Sequence, residues 1–151
     1  MKKEFQLTQE GVKELQAELA ELKDKLVEVI DSIKTARDQG DLKENAEYHA
    51  AKEDQERVDS RMKEIEHILL NAEVVKHAPK STVSIGNKVT LISDSKDVTY
   101  HIVDSVEVDP LEYKISDESP IGKALMGKKV GAKIEITLPS GTKAYEIKEI
   151  N

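Results

Sequence analysis

Two apolar runs with one shared rhythm dominate the first half of this chain. The first is Val12, Leu15, Leu19, Leu22, Leu26, Val29, Ile33 and Ala36, stepping alternately by three and four. The second is Tyr48, Ala51, Gln55, Val58, Met62, Ile65, Leu69 and Ala72, with the same steps. Such alternation keeps a narrow stripe facing one partner, so each run predicts a helix wound on another helix. Folding the chain back between them pairs Ala36 with Tyr48, Ile33 with Ala51, and so on down to Val12 with Ala72. Every pair of residue numbers sums to 84. Eight layers matching without a slip predict an antiparallel hairpin within one molecule, and hence a monomer. A dimerising coiled coil would not need the two seams to mirror each other about one short turn. Each arm of about 30 residues would be about 45 Å long at 1.5 Å per residue. Thr8 suits an N-cap, with Leu7 and Val12 in the positions of a hydrophobic staple. Gly40 suits a left-handed stop. Gln55 is a polar seam residue opposite Val29; it either fixes register or is simply tolerated.

The charge follows the same division. The chain of 151 residues carries −7 overall. Residues 1–76 hold 13 basic and 19 acidic side chains, and residues 77–151 hold 10 and 11. That balance excludes a generic basic nucleic-acid binder, which needs a cationic face to displace counterions. Pro79 cannot continue a helix, and its polar neighbours suit a linker. The expected domains are therefore a hairpin at 1–76, a linker at 77–82 and a globular domain at 83–151. The absence of cysteine removes disulfides, thiolate metal sites and thiol catalysis. No apolar run is long enough to span a membrane, and the first ten residues lack a signal-peptide core. The expectation is a soluble cytoplasmic protein without a membrane partner.

The second half alternates like a sheet. Strands are expected at Lys88–Ile92, Val98–Val103 and Tyr113–Ile115. Ser119 followed by Pro120 reads as an N-cap and first helical residue, with a short helix running to Met126. Lys133–Leu138 and Lys143–Ile150 form a hairpin over Pro139-Ser140-Gly141. The expected class is α+β, a coiled-coil hairpin followed by a small antiparallel-sheet domain. No metalloprotease, phosphate-loop or dinucleotide motif occurs. His101 reads as an exposed strand residue, and His67 and His77 are isolated.

The chemistry concentrates in the turn, residues 37–45. Asp41 and Glu44 stand three apart. Two carboxylates are too few to hold Mg²⁺ alone, since it prefers six oxygens, but they could complete a site whose other ligands a partner supplies. The same Asp-Leu-Lys-Glu spacing is also a capping box with Asp41 as N-cap. Both readings stand, and they are compatible if Asp41 caps in the free protein and turns outward when docked. Arg37 and Lys52 share a heptad letter on opposite arms and flank one groove, with Lys43 adding charge. Phosphate contact and a solvated coiled-coil flank fit them equally. His49 lies one residue outside the seam and is not assigned as a ligand.

The stretch ARDQGDLKENAEYHAAKEDQ, residues 36–55, resembles the tip of bacterial transcript-cleavage factors of the Gre family, and GDLKENAEYHAA is closer to their GreA branch. SPIGKALMGKKVGA, residues 119–132, is similar to the family's second signature. The resemblance covers essentially the whole chain. It implies a hairpin that enters the secondary channel of RNA polymerase and a domain similar to FKBP folds that docks at the channel rim. By resemblance, Asp41 and Glu44 would help hold a second Mg²⁺ in the polymerase active centre and orient the attacking water. Arg37 and Lys52 would contact the extruded 3′ segment of the nascent RNA. Ser119 and Pro120 would meet the rim. The chain would thus activate the polymerase's own nuclease in trans and not be an enzyme itself. A channel-blocking inhibitor of the same architecture is the alternative; such relatives crowd more acids onto the tip. A prolyl isomerase would need an aromatic-lined pocket, for which the second domain offers only Tyr100, Tyr113 and Tyr145.

Overall fold

The computed structural model describes residues 4–40, 45–94 and 96–151. The chain divides into two compact units. One is Val12–Asn71; the other joins the segment ending at Gly11 to Ala72–Asn151.

The first unit is a helical hairpin. Helix α1 spans Gln9–Asp38 and helix α2 spans Ala46–Leu70. The 30 residues of α1 give it a length of about 45 Å. Every seam residue is buried or half-buried. Val29, Ile33 and Ala51 form one buried cluster with Tyr48 packed against it, as the mirrored layers require. On one flank the Arg61 guanidinium clamps Glu18 through both carboxylate oxygens, with Nη2 to Oε2 at 2.7 Å and Nε to Oε1 at 3.2 Å. That hydrogen bonding raises the Arg61 pKa above its ordinary value. The pair is over a third exposed, so its contribution stays within about 1 kcal/mol and serves mainly to fix register.

Two ends differ from the sequence reading. Helix α2 stops at Leu70, where the Asn71 N–H turns back to the carbonyls of His67 and Ile68. Ala72, expected as the last helical layer opposite Val12, instead opens a strand. Gly40 has φ of +151°, outside the left-handed helical basin expected for it.

The second unit is built on a five-stranded sheet. Its strands are β3 (Lys88–Ser93), β4 (Lys96–Val103), β5 (Lys114–Ser116), β6 (Lys133–Leu138) and β7 (Gly141–Ile150), in the spatial order β5-β4-β3-β7-β6. β3 pairs antiparallel with β4 and β7, and β6 with β7. The edge strand β5, however, runs parallel to β4. The sheet is therefore mixed, not purely antiparallel as expected. Two 3₁₀ turns, Ser105–Glu107 and Pro110–Glu112, lie between β4 and β5 and reverse the direction of approach. Alternate residues such as Val89, Leu91, Ile102, Ile134 and Ile147 point inward, and Leu125 of helix α3 (Pro120–Leu125) closes the core. This core is aliphatic, without one fully buried aromatic ring.

A second, two-stranded sheet was not expected. β1 (Phe5–Thr8) pairs in parallel with β2 (Ala72–Val75), so segments on either side of the hairpin in sequence meet in one unit. Glu107 anchors this junction. Its buried carboxylate accepts the Thr8 N–H at 3.0 Å and the Thr8 hydroxyl at 2.6 Å. The same Thr8 oxygen accepts the Gly11 N–H at 3.0 Å, so Thr8 caps α1 as its sequence position suggests. Gly11 leaves the space that the carboxylate occupies; a Cβ there would overlap Glu107.

Replacing a helical glycine by alanine ordinarily gains about 1 kcal/mol. Gly11→Ala is expected to lose stability instead, because it displaces a buried carboxylate from two charge-assisted hydrogen bonds. Thermal unfolding followed by circular dichroism should show a lower melting temperature for Gly11→Ala, partly restored in Gly11→Ala/Glu107→Ala. A single variant melting at or above wild type would show that Glu107 gives way freely.

Candidate functional site

The residues singled out in the turn fall on the ends of the two arms. Arg37 is exposed in the last turn of α1, where a cation complements the negative end of the helix dipole. Lys52 is exposed in the second turn of α2, and its ammonium donates to Gln55 Oε1 at 3.2 Å. Gln55 is half-buried in the seam and thus carries a specific polar partner. Asp41 and Glu44 lie outside the described residues.

Asn45 is the residue that the sequence reading passed over. It is the N-cap of α2, in extended backbone geometry with φ −89° and ψ 98°. Its Oδ1 accepts the Tyr48 N–H at 3.1 Å. Its Nδ2 donates to the Ala36 carbonyl at 2.6 Å, which also accepts the Gln39 N–H at 3.2 Å. One amide therefore satisfies an orphan donor at the start of α2 and adds a second donor to a carbonyl at the end of α1. Asn45 is the N-cap of α2, and the capping box expected at Asp41 and Glu44 lies outside the described residues. The signal was present, since asparagine ranks among the strongest N-caps, but the Asp-Leu-Lys-Glu box four residues earlier masked it.

The other expected contact segment has an equally local cause. Ser119 caps α3: its Oγ accepts the Gly122 N–H at 3.0 Å and donates to the Ser116 carbonyl at 2.6 Å. Gly122 is buried so close to that carbonyl that a Cβ would overlap it. The Ser119 hydroxyl is thus spent inward, and the Pro120 ring is the exposed member of the pair.

His101 is half-buried, not exposed as its strand alternation suggested. Burial, with the Lys88 ammonium nearby, holds its imidazole below the ordinary value. His67 and His77 are exposed. Tyr100, Tyr113 and Tyr145, scattered in sequence, line one groove of the second unit. No helix among the described residues is long and apolar enough to cross a membrane.

A two-helix hairpin joined in one chain to a mixed-sheet unit is the class of protein that this fold defines. Two family models divide the chain between them. The one described as "Transcription elongation factor, N-terminal" matches residues 5–74, and "Transcription elongation factor, GreA/GreB, C-term" matches residues 78–151. The chain belongs to the GreA/GreB family of transcription elongation factors. It is 45% identical over 155 residues to the transcription elongation factor GreA of Acholeplasma laidlawii, covering 99% of this chain and 98% of that one. It is 46% identical over 154 residues to GreA of Clostridium botulinum strain Langeland, covering 99% and 96%. A crystal structure of GreA factor homolog 1 of Thermus thermophilus is 26% identical, covering 98% of this chain and 99% of that one, with a TM-score of 0.47.

Removing the Asn45 amide should loosen the turn without unfolding the hairpin. Asn45→Ala is expected to cost about 1 kcal/mol as a lost cap. Asn45→Asp should keep the α2 cap but lose the bond to Ala36. Amide hydrogen exchange is the check: Asn45→Ala should speed exchange at Glu47 and Tyr48, and Asn45→Asp should leave those two protected.

Proposed function

We propose that this chain binds RNA polymerase and stimulates the polymerase's own endonucleolytic cleavage of backtracked nascent RNA. Membership of the elongation-factor family supports the partner. One observation on this chain supports the division of roles: Asn45 caps α2 and ties it to Ala36. In this reading Asp41 and Glu44, which lie outside the described residues, are the acids that act on the polymerase.

The donor set fits a hard cation. Asp41 and Glu44 would offer carboxylate oxygens suited to Mg²⁺, yet too few to retain it without ligands from a partner. When bound, Mg²⁺ lowers the pKa of a water and offsets charge on the leaving oxygen. The chain's share is positional. The seam and the Asn45 clamp tie the facing ends of the two arms, and the arms carry the carboxylates to the polymerase active centre through its secondary channel. Arg37 and Lys52 pair with phosphates of the extruded RNA 3′ segment. Residues 1–76 deliver these groups, while 83–151 dock at the channel rim with Pro120 outward. Cleavage belongs to the polymerase, and the factor acts as a cytoplasmic monomer that is not itself an enzyme.

Cleavage in stalled, backtracked elongation complexes tests this. Asp41→Ala and Glu44→Ala should each lose stimulation while retaining affinity for polymerase, with partial rescue at raised Mg²⁺. Stimulation at the wild-type level by either variant would overturn the metal role. Arg37→Ala with Lys52→Ala should raise the factor concentration needed for half-maximal cleavage, leaving the Mg²⁺ dependence unchanged.

A further inference from the structure

Three of the second unit's four aromatic residues, Tyr100, Tyr113 and Tyr145, line one groove of about 370 Å³; Tyr100 and Tyr145 are half-buried against the aliphatic core and Tyr113 is exposed. Tyr100 and Tyr113 meet edge to face with ring centroids 6.1 Å apart. Tyr145 lies on the same groove, with the Lys143 ammonium 5.4 Å above its ring centroid. Tyr113 is 55% exposed and sits in left-handed backbone geometry, φ 56° and ψ 31°. A bulky residue there is conformationally costly where glycine or asparagine would be easy, and such outliers cluster at ligand sites.

The lining selects a kind of ligand. Its single large aliphatic side chain is Val98, so it offers no row of sockets for the anchors of an amphipathic helix. What it offers is ring faces and ammonium groups. Lys96 and Lys143 are both on the groove. The one carboxylate there, Asp97, is engaged by Lys148 at 2.7 Å. The acidic excess of the chain lies elsewhere, since residues 77–151 carry only one more acid than base. A flat, π-rich ligand with regularly spaced negative charge matches both features. Nucleobases stack on tyrosine with little sequence preference, while phosphates pair with lysines a sugar's length away.

We propose that the groove lined by Tyr100, Tyr113, Tyr145, Lys96 and Lys143 binds a short stretch of single-stranded nucleic acid. The bases stack on the tyrosines and the phosphates meet the two lysines. The site is separate from the RNA contact proposed for Arg37 and Lys52 at the hairpin turn.

The chain has no tryptophan and four tyrosines, three of them in the groove, so its own fluorescence reports the site. Tyr48→Phe keeps a ring in the hairpin seam and silences the fourth. Arg37→Ala/Lys52→Ala in the same full-length chain removes the turn's contribution, so success or failure here is independent of the cleavage reading. Hexauridylate titrated into this background should quench the emission saturably. Two phosphate contacts give a slope of log affinity against log salt of roughly −1.4. Tyr113→Asn suits the left-handed backbone, so it should fold yet weaken binding about tenfold. Tyr113→Phe should bind as the parent does, and Lys96→Glu/Lys143→Glu should abolish quenching. The proposal is overturned by no quenching at millimolar hexauridylate, or by Tyr113→Asn binding like the parent. It is equally overturned if uridine monophosphate binds as tightly as the hexamer, which would make the groove a free-nucleotide site. Tighter binding of an acidic, proline-containing peptide would make it a protein-docking groove.

Discussion

Every group at the hairpin turn depends on how the two arms are joined there. The apolar seam fixes which residues face inward, but it leaves the first amides of the second helix without partners. Asn45 meets that need and also ties the arms together, accepting from Tyr48 and donating to Ala36, whose carbonyl takes the Gln39 N–H as well. The bond to Ala36 comes at the outermost layer of the seam, where Ala36 is buried and Tyr48 packs beside Ala51. Small and aromatic side chains meet there, so the arms can close tightly at the point where position matters most. A loosely joined pair of helices would carry the same acids and bases but present them over a range of positions.

A buried carboxylate plays the corresponding part in the sheet unit. Glu107 lies in a 3₁₀ turn after β4, yet its partners are at the opposite end of the sequence, at Thr8. Burying an acid is unfavourable unless hydrogen bonds replace its water, and here two donors from one residue do so. The consequence is a constraint on Gly11, whose missing side chain makes the room. Chain segments that precede and follow the hairpin are thereby held in one compact unit with β1 and β2 paired.

The two units divide chemistry between them in a way their compositions reflect. The hairpin's seam is apolar except for Gln55, and its acids lie outside that seam. The sheet unit fills its core with valine, leucine and isoleucine and sets its three tyrosines along one groove at the core's margin, Tyr113 exposed and Tyr100 and Tyr145 half-buried.

Much of this was legible in the sequence, and the reason is periodicity. The three–four steps set the helices, and the mirror symmetry about one turn set their pairing. Period-two alternation set β3, β4, β6 and β7, and Ser119-Pro120 set the start of α3. Those signals are local, arising from a helix or strand presenting one face to something apolar. The tertiary structure decided what depends on partners far apart in sequence. β1 and β2 are too short to show a pattern, and each needs the other across the length of the hairpin. The parallel placement of β5, the burial of Glu107 beside Gly11 and the convergence of three tyrosines likewise follow from long-range packing. The cap at Asn45 lies between the two cases: its residue type was visible. That it starts α2 and also reaches the carbonyl of Ala36 was settled only by the tertiary geometry, because that bond joins residues on two different arms.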